Sequence, residues 1–125
     1  FFKIDKKIKR MKLNFLKKKQ IFFRVFNFFK KIFTIRRLLK EYNDYTIISL
    51  IHGTNIIVLI ALLFSNKKLI ICERNDVRKQ KVSSLTNFLR FITYGLANAV
   101  TTNLESNIKN LNYLRKKKYI FYQTQ

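Results

Sequence analysis

The stretch that most constrains this chain is Leu69-Ile70-Ile71-Cys72-Glu73-Arg74-Asn75-Asp76, an apolar run of strand length that empties directly into charged and amide side chains. The same pattern occurs once before it: Thr46-Ile47-Ile48-Ser49-Leu50-Ile51 runs into His52-Gly53-Thr54-Asn55 and then into an uncharged apolar segment. Two strand ends with polar groups behind them predict an open parallel α/β sheet. Ligands in such sheets bind beyond the carboxyl ends of the strands, so a binding or catalytic domain is expected.

The 125 residues allow one domain, and 48% hydrophobic residues with 13 Phe and 6 Tyr argue against disorder, because that much aromatic surface offsets chain entropy when buried. The net charge of +21 suggests anionic partners, since lysine-rich surfaces bind phosphates by releasing counterions. The Lys, Asn, Ile and Phe bias, with no Pro or Trp and 2 Gly, is what AT-rich coding would place on any fold, so nucleic acid is the disfavoured partner and an anionic membrane surface the favoured one. Cys72 is the one cysteine, which excludes an intrachain disulfide, fits a reducing compartment and reads as a small buried apolar residue. The chain opens on Phe1 rather than Met and carries no cleavable signal pattern, so it reads as a piece of something longer.

Residues 9–15 alternate, with Met11, Leu13 and Phe15 against Arg10, Lys12 and Asn14, predicting an edge strand. From Gln20 to Tyr42, Phe22, Val25, Phe26, Phe29, Ile32, Phe33 and Leu39 recur at helical spacing among Arg24, Lys30, Lys31, Arg37 and Lys40, which predicts a long basic amphipathic helix. It can pack on a sheet with solvated lysines, lie on an anionic membrane, or do both. Thr46 to Phe64 is long enough for a membrane span, but His52, Gly53, Thr54 and Asn55 at its centre favour a strand, a tight turn and a buried helix with Thr54 as N-cap. Leu69–Cys72 reads as a central strand covered on both faces. Leu85, Phe88, Leu89, Ile92 and Leu96 mark another amphipathic helix, with Gly95 suited to its end. Ala99–Thr101 reads as a short strand, and Thr102-Asn103-Leu104-Glu105 as a capping box before a last helix. The expected order is β, α four times over, with right-handed crossovers.

Glu73, Arg74 and Asn75 offer an acceptor, a bidentate donor and a mixed amide, a set suited to hydroxyl-rich or phosphorylated ligands. They could equally pair with each other or with nearby loops to close the sheet edge, while Asp76 caps a turn. His52 could act as a base or hydrogen-bond a sugar hydroxyl, or be structural. Gly53-Thr54-Asn55 leads into a helix N-terminus that favours anions, without a G-x-G-x-x-G or Walker pattern. No spacing suggests a metal site, and no cofactor is expected.

Asp44-Tyr45-Thr46-Ile47-Ile48-Ser49-Leu50, Thr54-Asn55, Ile70 to Asp76, Tyr94-Gly95-Leu96-Ala97-Asn98-Ala99-Val100 and Thr102 resemble the amino-terminal domain of family 4 glycosyltransferases. In that family a "pD-hhIS" strand, a "tN" helix start, an "I-x-S-E-R-N-D-P" segment and a "Y-x-x-A-D-x-V-V-x-x-T" segment follow at similar intervals. The resemblance covers most of residues 8–112, and Glu73-Arg74-Asn75-Asp76 is its most specific piece. Cys72, Val77 and Asn98 stand where the family has Ser, Pro and Asp. The family's first glycine-rich loop would precede Phe1, its carboxyl-terminal domain with the E-x7-E nucleotide-sugar site is absent, and Tyr119 to Gln125 lacks the usual Pro-Asn segment.

The resemblance implies a Rossmann-like parallel sheet with flanking helices, forming an incomplete half of a GT-B fold over residues 1–125. The parent enzyme would move a sugar from a nucleotide-sugar donor, bound by the missing domain, to a saccharide or lipid-linked acceptor. It would work in the cytoplasm, peripherally on the inner face of the plasma membrane, and this half alone would be inactive. His52, as candidate catalytic group, and Thr54, Asn55, Glu73, Arg74 and Asn75, as acceptor-binding residues, would line the interdomain cleft. The competing expectations are a non-catalytic basic membrane-associated protein and a nucleic-acid-binding domain, the latter with affinity falling steeply with salt.

Overall fold

The computed structural model describes Lys7, Ile8, Met11, Leu13 and residues 21–42, 44–77, 79–111 and 119–121. Its elements are α1 (Ile21–Lys40), β1 (Ile47–Leu50), α2 (His52–Ala61), β2 (Leu69–Glu73), α3 (Ser84–Thr93) with a 3₁₀ turn (Tyr94–Leu96), β3 (Ala99–Thr102), α4 (Glu105–Asn110) and β4 (Tyr119–Phe121). All neighbouring strands pair in parallel in the order β1-β2-β3-β4. The chain is therefore an α/β protein with a Rossmann-like parallel sheet flanked by helices. The strand expected over 9–15 falls largely outside the described residues; Met11 and Leu13, which are described, belong to no strand.

Burial alternates along β2, with Leu69, Ile71 and Glu73 buried and Ile70 and Cys72 half-buried. The register puts Ser49, Ile71 and Val100 in one row on the buried face, where Ile56, Leu59, Tyr94, Ala97 and Leu111 join the core. The opposite face is much less covered: Ile48 and Leu50 remain 65% and 49% exposed. The interior position of β2 matches expectation, but its two faces are not equally enclosed, and Cys72 lies half-buried on the poorer one.

Two local expectations are corrected, and a third element is oriented in a way the sequence did not show. The turn after β1 is a single residue, Ile51, at φ 73°, and α2 starts at once at His52, so Thr54 sits inside the first turn and caps nothing. Gly53 is helical with ordinary φ; the strained position is taken by a β-branched residue instead. The capping box at Thr102 does not form: α4 has Leu104 as its N-cap residue, and the Thr102 hydroxyl at the end of β3 accepts from Leu104 N at 3.2 Å and Asn107 Nδ2 at 3.0 Å. Finally, α3 turns its apolar stripe outward. Leu85, Phe88, Ile92 and Leu96 are exposed, and of that stripe Leu89 alone is half-buried, while Arg90, Thr93 and the following Tyr94 point inward.

The long helix α1 forms as expected but packs on α2 rather than on the sheet, with Ile32 buried and Ile35 and Leu39 packed against the core. Lys67 Nζ donates to Tyr42 O at 2.8 Å, tying the segment after α1 to the loop before β2. Around β3, Asn98 N donates to Leu69 O at 2.9 Å and Asn98 Oδ1 accepts from Leu69 N at 2.8 Å, which fastens the start of β2. No helix among the described residues is long and apolar enough to cross a membrane.

Candidate functional site

Parallel pairing brings the carboxyl ends of β1, β2 and β3 to one edge, with Leu50 opposite Cys72 and Cys72 opposite Thr101. Whatever follows those ends meets there: Ile51-His52 after β1, Arg74-Asn75 after β2, and the loop into α4 after β3.

Beneath this edge lies a polar network inside the core. Glu73, the last residue of β2, has no exposed surface, and its Oε2 accepts a 2.5 Å hydrogen bond from the hydroxyl of the equally buried Tyr94. Arg90, 2% exposed, brings its guanidinium to 3.9 Å from the same oxygen and lies 5.9 Å from the Tyr94 ring centroid. Asn55, on α2, donates through Nδ2 to Cys72 O at 3.2 Å and to the Tyr94 hydroxyl at 3.4 Å. Burial, then the neighbouring Glu73 carboxylate, pushes the Tyr94 phenol well above its ordinary pKa, which keeps its O–H as a donor. Glu73 Oε1 and Asn55 Oδ1 are buried without a hydrogen-bond partner among the described residues.

The network reaches the surface through one amide. Arg90 Nη2 donates to Gln80 Oε1 at 2.9 Å, and Gln80 Nε2 meets His52 Nδ1 at 2.8 Å. His52 is half-buried in the first turn of α2, beside Gly53, around which an added Cβ would meet nothing within 4 Å.

A second clamp fixes the loop after β2. Asn107, buried on α4, accepts from Val77 N at 2.9 Å through Oδ1 and donates to Asn75 O at 2.8 Å through Nδ2. Asp76 starts a turn closed by Gln80 N donating to its carbonyl at 3.0 Å, and Ser106 Oγ donates to its carboxylate at 3.5 Å. The loop is thus tied down at both ends, which leaves Arg74 exposed with no partner among the described residues.

The six expected site residues separate into two layers. His52, Thr54, Arg74 and Asn75 reach the surface at the carboxyl edge, whereas Asn55 and Glu73 are enclosed below it and bond to Tyr94, Arg90 and Cys72 O. Glu73 and Arg74 do not pair with each other: Glu73 is enclosed at the end of β2, and Arg74, just past it, is exposed. Sequence reasoning missed Gln80, Arg90 and Asn107. Arg90 carried a weak signal, a lone cation inside the apolar run Phe88-Leu89-Arg90-Phe91-Ile92, while Gln80 and Asn107 carried none.

Against protein-family models and curated proteins, the chain has no match. Among the described residues no group of three or more His, Cys, Asp or Glu could hold a metal ion. A separate cleft of about 430 Å³ opens away from this edge, between the carboxyl-terminal ends of α1 and α2, lined by Arg36, Lys40, Leu62, Phe64 and Lys67 among others. It touches none of the expected site residues.

Proposed function

We propose that this chain is the acceptor-side half of a GT-B glycosyltransferase related to family 4, binding a saccharide or lipid-linked acceptor at the carboxyl edge of its sheet. The observation that carries this reading is the Glu73–Tyr94 contact. The two most specific segments of the resemblance, Glu73-Arg74-Asn75-Asp76 and Tyr94 to Thr102, meet through a 2.5 Å hydrogen bond. On this reading Glu73 and Asn55 hold the edge in shape from below, and His52, Thr54, Arg74 and Asn75 face the acceptor. Donor binding belongs to a second domain, and the enzyme works peripherally on the cytoplasmic face of the membrane.

The test is saturation-transfer NMR of the purified chain against glucose, N-acetylglucosamine and their disaccharides. Binding weakened about tenfold by Arg74→Ala, the usual scale for losing one charged hydrogen-bonding group, supports the reading. Absence of binding by the whole panel, or an unaltered affinity in the variant, counts against it.

One observation favours a second reading, a non-catalytic protein of anionic membrane surfaces. Phe22, Phe26, Phe29 and Phe33 form a stripe on α1 that is 82%, 60%, 53% and 68% exposed. The same helix carries Arg24, Lys30, Lys31, Arg36, Arg37 and Lys40 and no acidic residue. Such a helix suits the headgroup region, where each cation near an anionic leaflet adds about 1 kcal/mol. A second copy of a +21 chain would meet it with like charge instead.

A further inference from the structure

We propose that Gln80 is a positioning residue that sets His52 as a hydrogen-bond donor, with the proton on Nε2, rather than as a base at the carboxyl edge of the sheet. Arg90 is buried and its guanidinium has only donors, so the Gln80 atom 2.9 Å from its Nη2 must be the amide oxygen. With that orientation fixed, the amide group 2.8 Å from His52 Nδ1 is the NH₂, which also can only donate. Nδ1 therefore accepts, and in the neutral imidazole the proton is carried by Nε2. Turning the amide over would set its NH₂ against the guanidinium of Arg90, donor against donor.

Arg90 is itself held in one place. Glu73 lies 3.9 Å away and Asn87 Oδ1 accepts from its Nη1 at 3.4 Å. The orientation imposed on His52 thus originates in the core and is relayed outward by one side chain. A ligand atom that meets Nε2 must accept a hydrogen bond, as a hydroxyl or phosphate oxygen does. Arg74, at the same edge, is also a donor only. The identity of the ligand as a sugar acceptor rests on the glycosyltransferase reading; the position of the proton does not.

His52 is the one histidine of the chain, so long-range ¹⁵N–¹H NMR of the imidazole reads it without overlap. The expected result is the Nε2–H tautomer in roughly tenfold excess, the ratio that one ordinary hydrogen bond imposes. Gln80→Glu, whose carboxylate can only accept, is expected to invert the preference to Nδ1–H, and Gln80→Ala to leave a mixture. A wild-type spectrum with Nδ1–H predominant, or the same ratio in the wild type and in Gln80→Ala, overturns the proposal. A predominant Nδ1–H in the wild type overturns the proposal even if either variant fails to fold. Failure of the saccharide panel with the tautomer as expected removes the enzyme reading and leaves the Gln80 relay standing.

Discussion

The Tyr94 hydroxyl donates to Glu73 Oε2 at 2.5 Å across 21 residues of sequence, joining the end of β2 to the turn that follows α3. Both side chains have no exposed surface, so the bond is made without competition from water.

Tyr94→Phe should therefore cost about 1.5–3 kcal/mol, the range for a hydrogen bond to a charged group, read as a lower urea midpoint by circular dichroism. The raised phenol pKa adds a pH signature. A folded-state pKa above the unfolded value gives stability that is complete below about pH 10 and is lost as pH rises past it. The wild type should lose stability at alkaline pH more steeply than Tyr94→Phe, and one of the 6 tyrosines should resist ionisation until the fold opens. Equal alkaline slopes in both proteins would show that Tyr94 is not buried against Glu73.

Removing one member of the buried Glu73–Arg90 pair leaves the other charge uncompensated. Glu73→Ala and Arg90→Met should each destabilise by about 3–5 kcal/mol, and the double variant by clearly less than the sum. Additive losses in the double-mutant cycle would mean that the 3.9 Å approach carries no coupling.

Asn107 satisfies the backbone of Val77 and Asn75 at once. Asn107→Ala should cost about 1–3 kcal/mol for each polar group left unsatisfied and speed amide exchange at Val77. Asn107→Asp keeps the acceptor for Val77 N but faces the Asn75 carbonyl with a second acceptor, so it should protect Val77 while still destabilising. Unchanged exchange in both variants would argue that the loop is held by other contacts.

Ile51 is β-branched, 59% exposed and at φ 73°. Ile51→Gly should relieve about 1–2 kcal/mol of backbone strain, partly offset by the entropy of a more flexible unfolded chain, and raise the melting temperature. A fall would show that the strain is smaller than the packing lost.

The exposed stripe on α1 separates stability from surface affinity. Replacing Phe26, Phe29 and Phe33 together by Ser should leave the urea midpoint nearly unchanged and abolish cosedimentation with phosphatidylcholine vesicles containing phosphatidylserine. Equal sedimentation of the variant, or equal binding to pure phosphatidylcholine, would sink the membrane-surface reading.

Hydrophobic period located α1, β1, β2, α3 and β3, but the alternation over 9–15 leaves Met11 and Leu13 in no strand. It did not tell which face of α3 turns inward, because periodicity counts apolar side chains and is blind to what a buried carboxylate requires. Glu73 needs donors, and α3 meets that need by turning Arg90 and Tyr94 inward while Leu85, Phe88 and Ile92 face out. The same blindness hid Gln80 and Asn107, which reach His52 and Val77, 28 and 30 residues away. β4 was missed because three residues are too few to show a period. Asn98 was flagged as a departure from Asp, yet its Oδ1 accepts from Leu69 N as a carboxylate oxygen would. At the candidate site, strand ends identified the edge, but which residues face outward there was set by contacts between distant segments.

The strand order β1-β2-β3-β4 repeats the order of synthesis, so each strand can dock on one that has already left the ribosome. A nascent β2 carries Glu73 into the sheet before its donors exist. At about 5–20 residues per second, Tyr94 follows it by on the order of one to four seconds. For that interval the carboxylate must stay hydrated, which makes the closing of α3 over β2 the step at which the growing chain commits to its core.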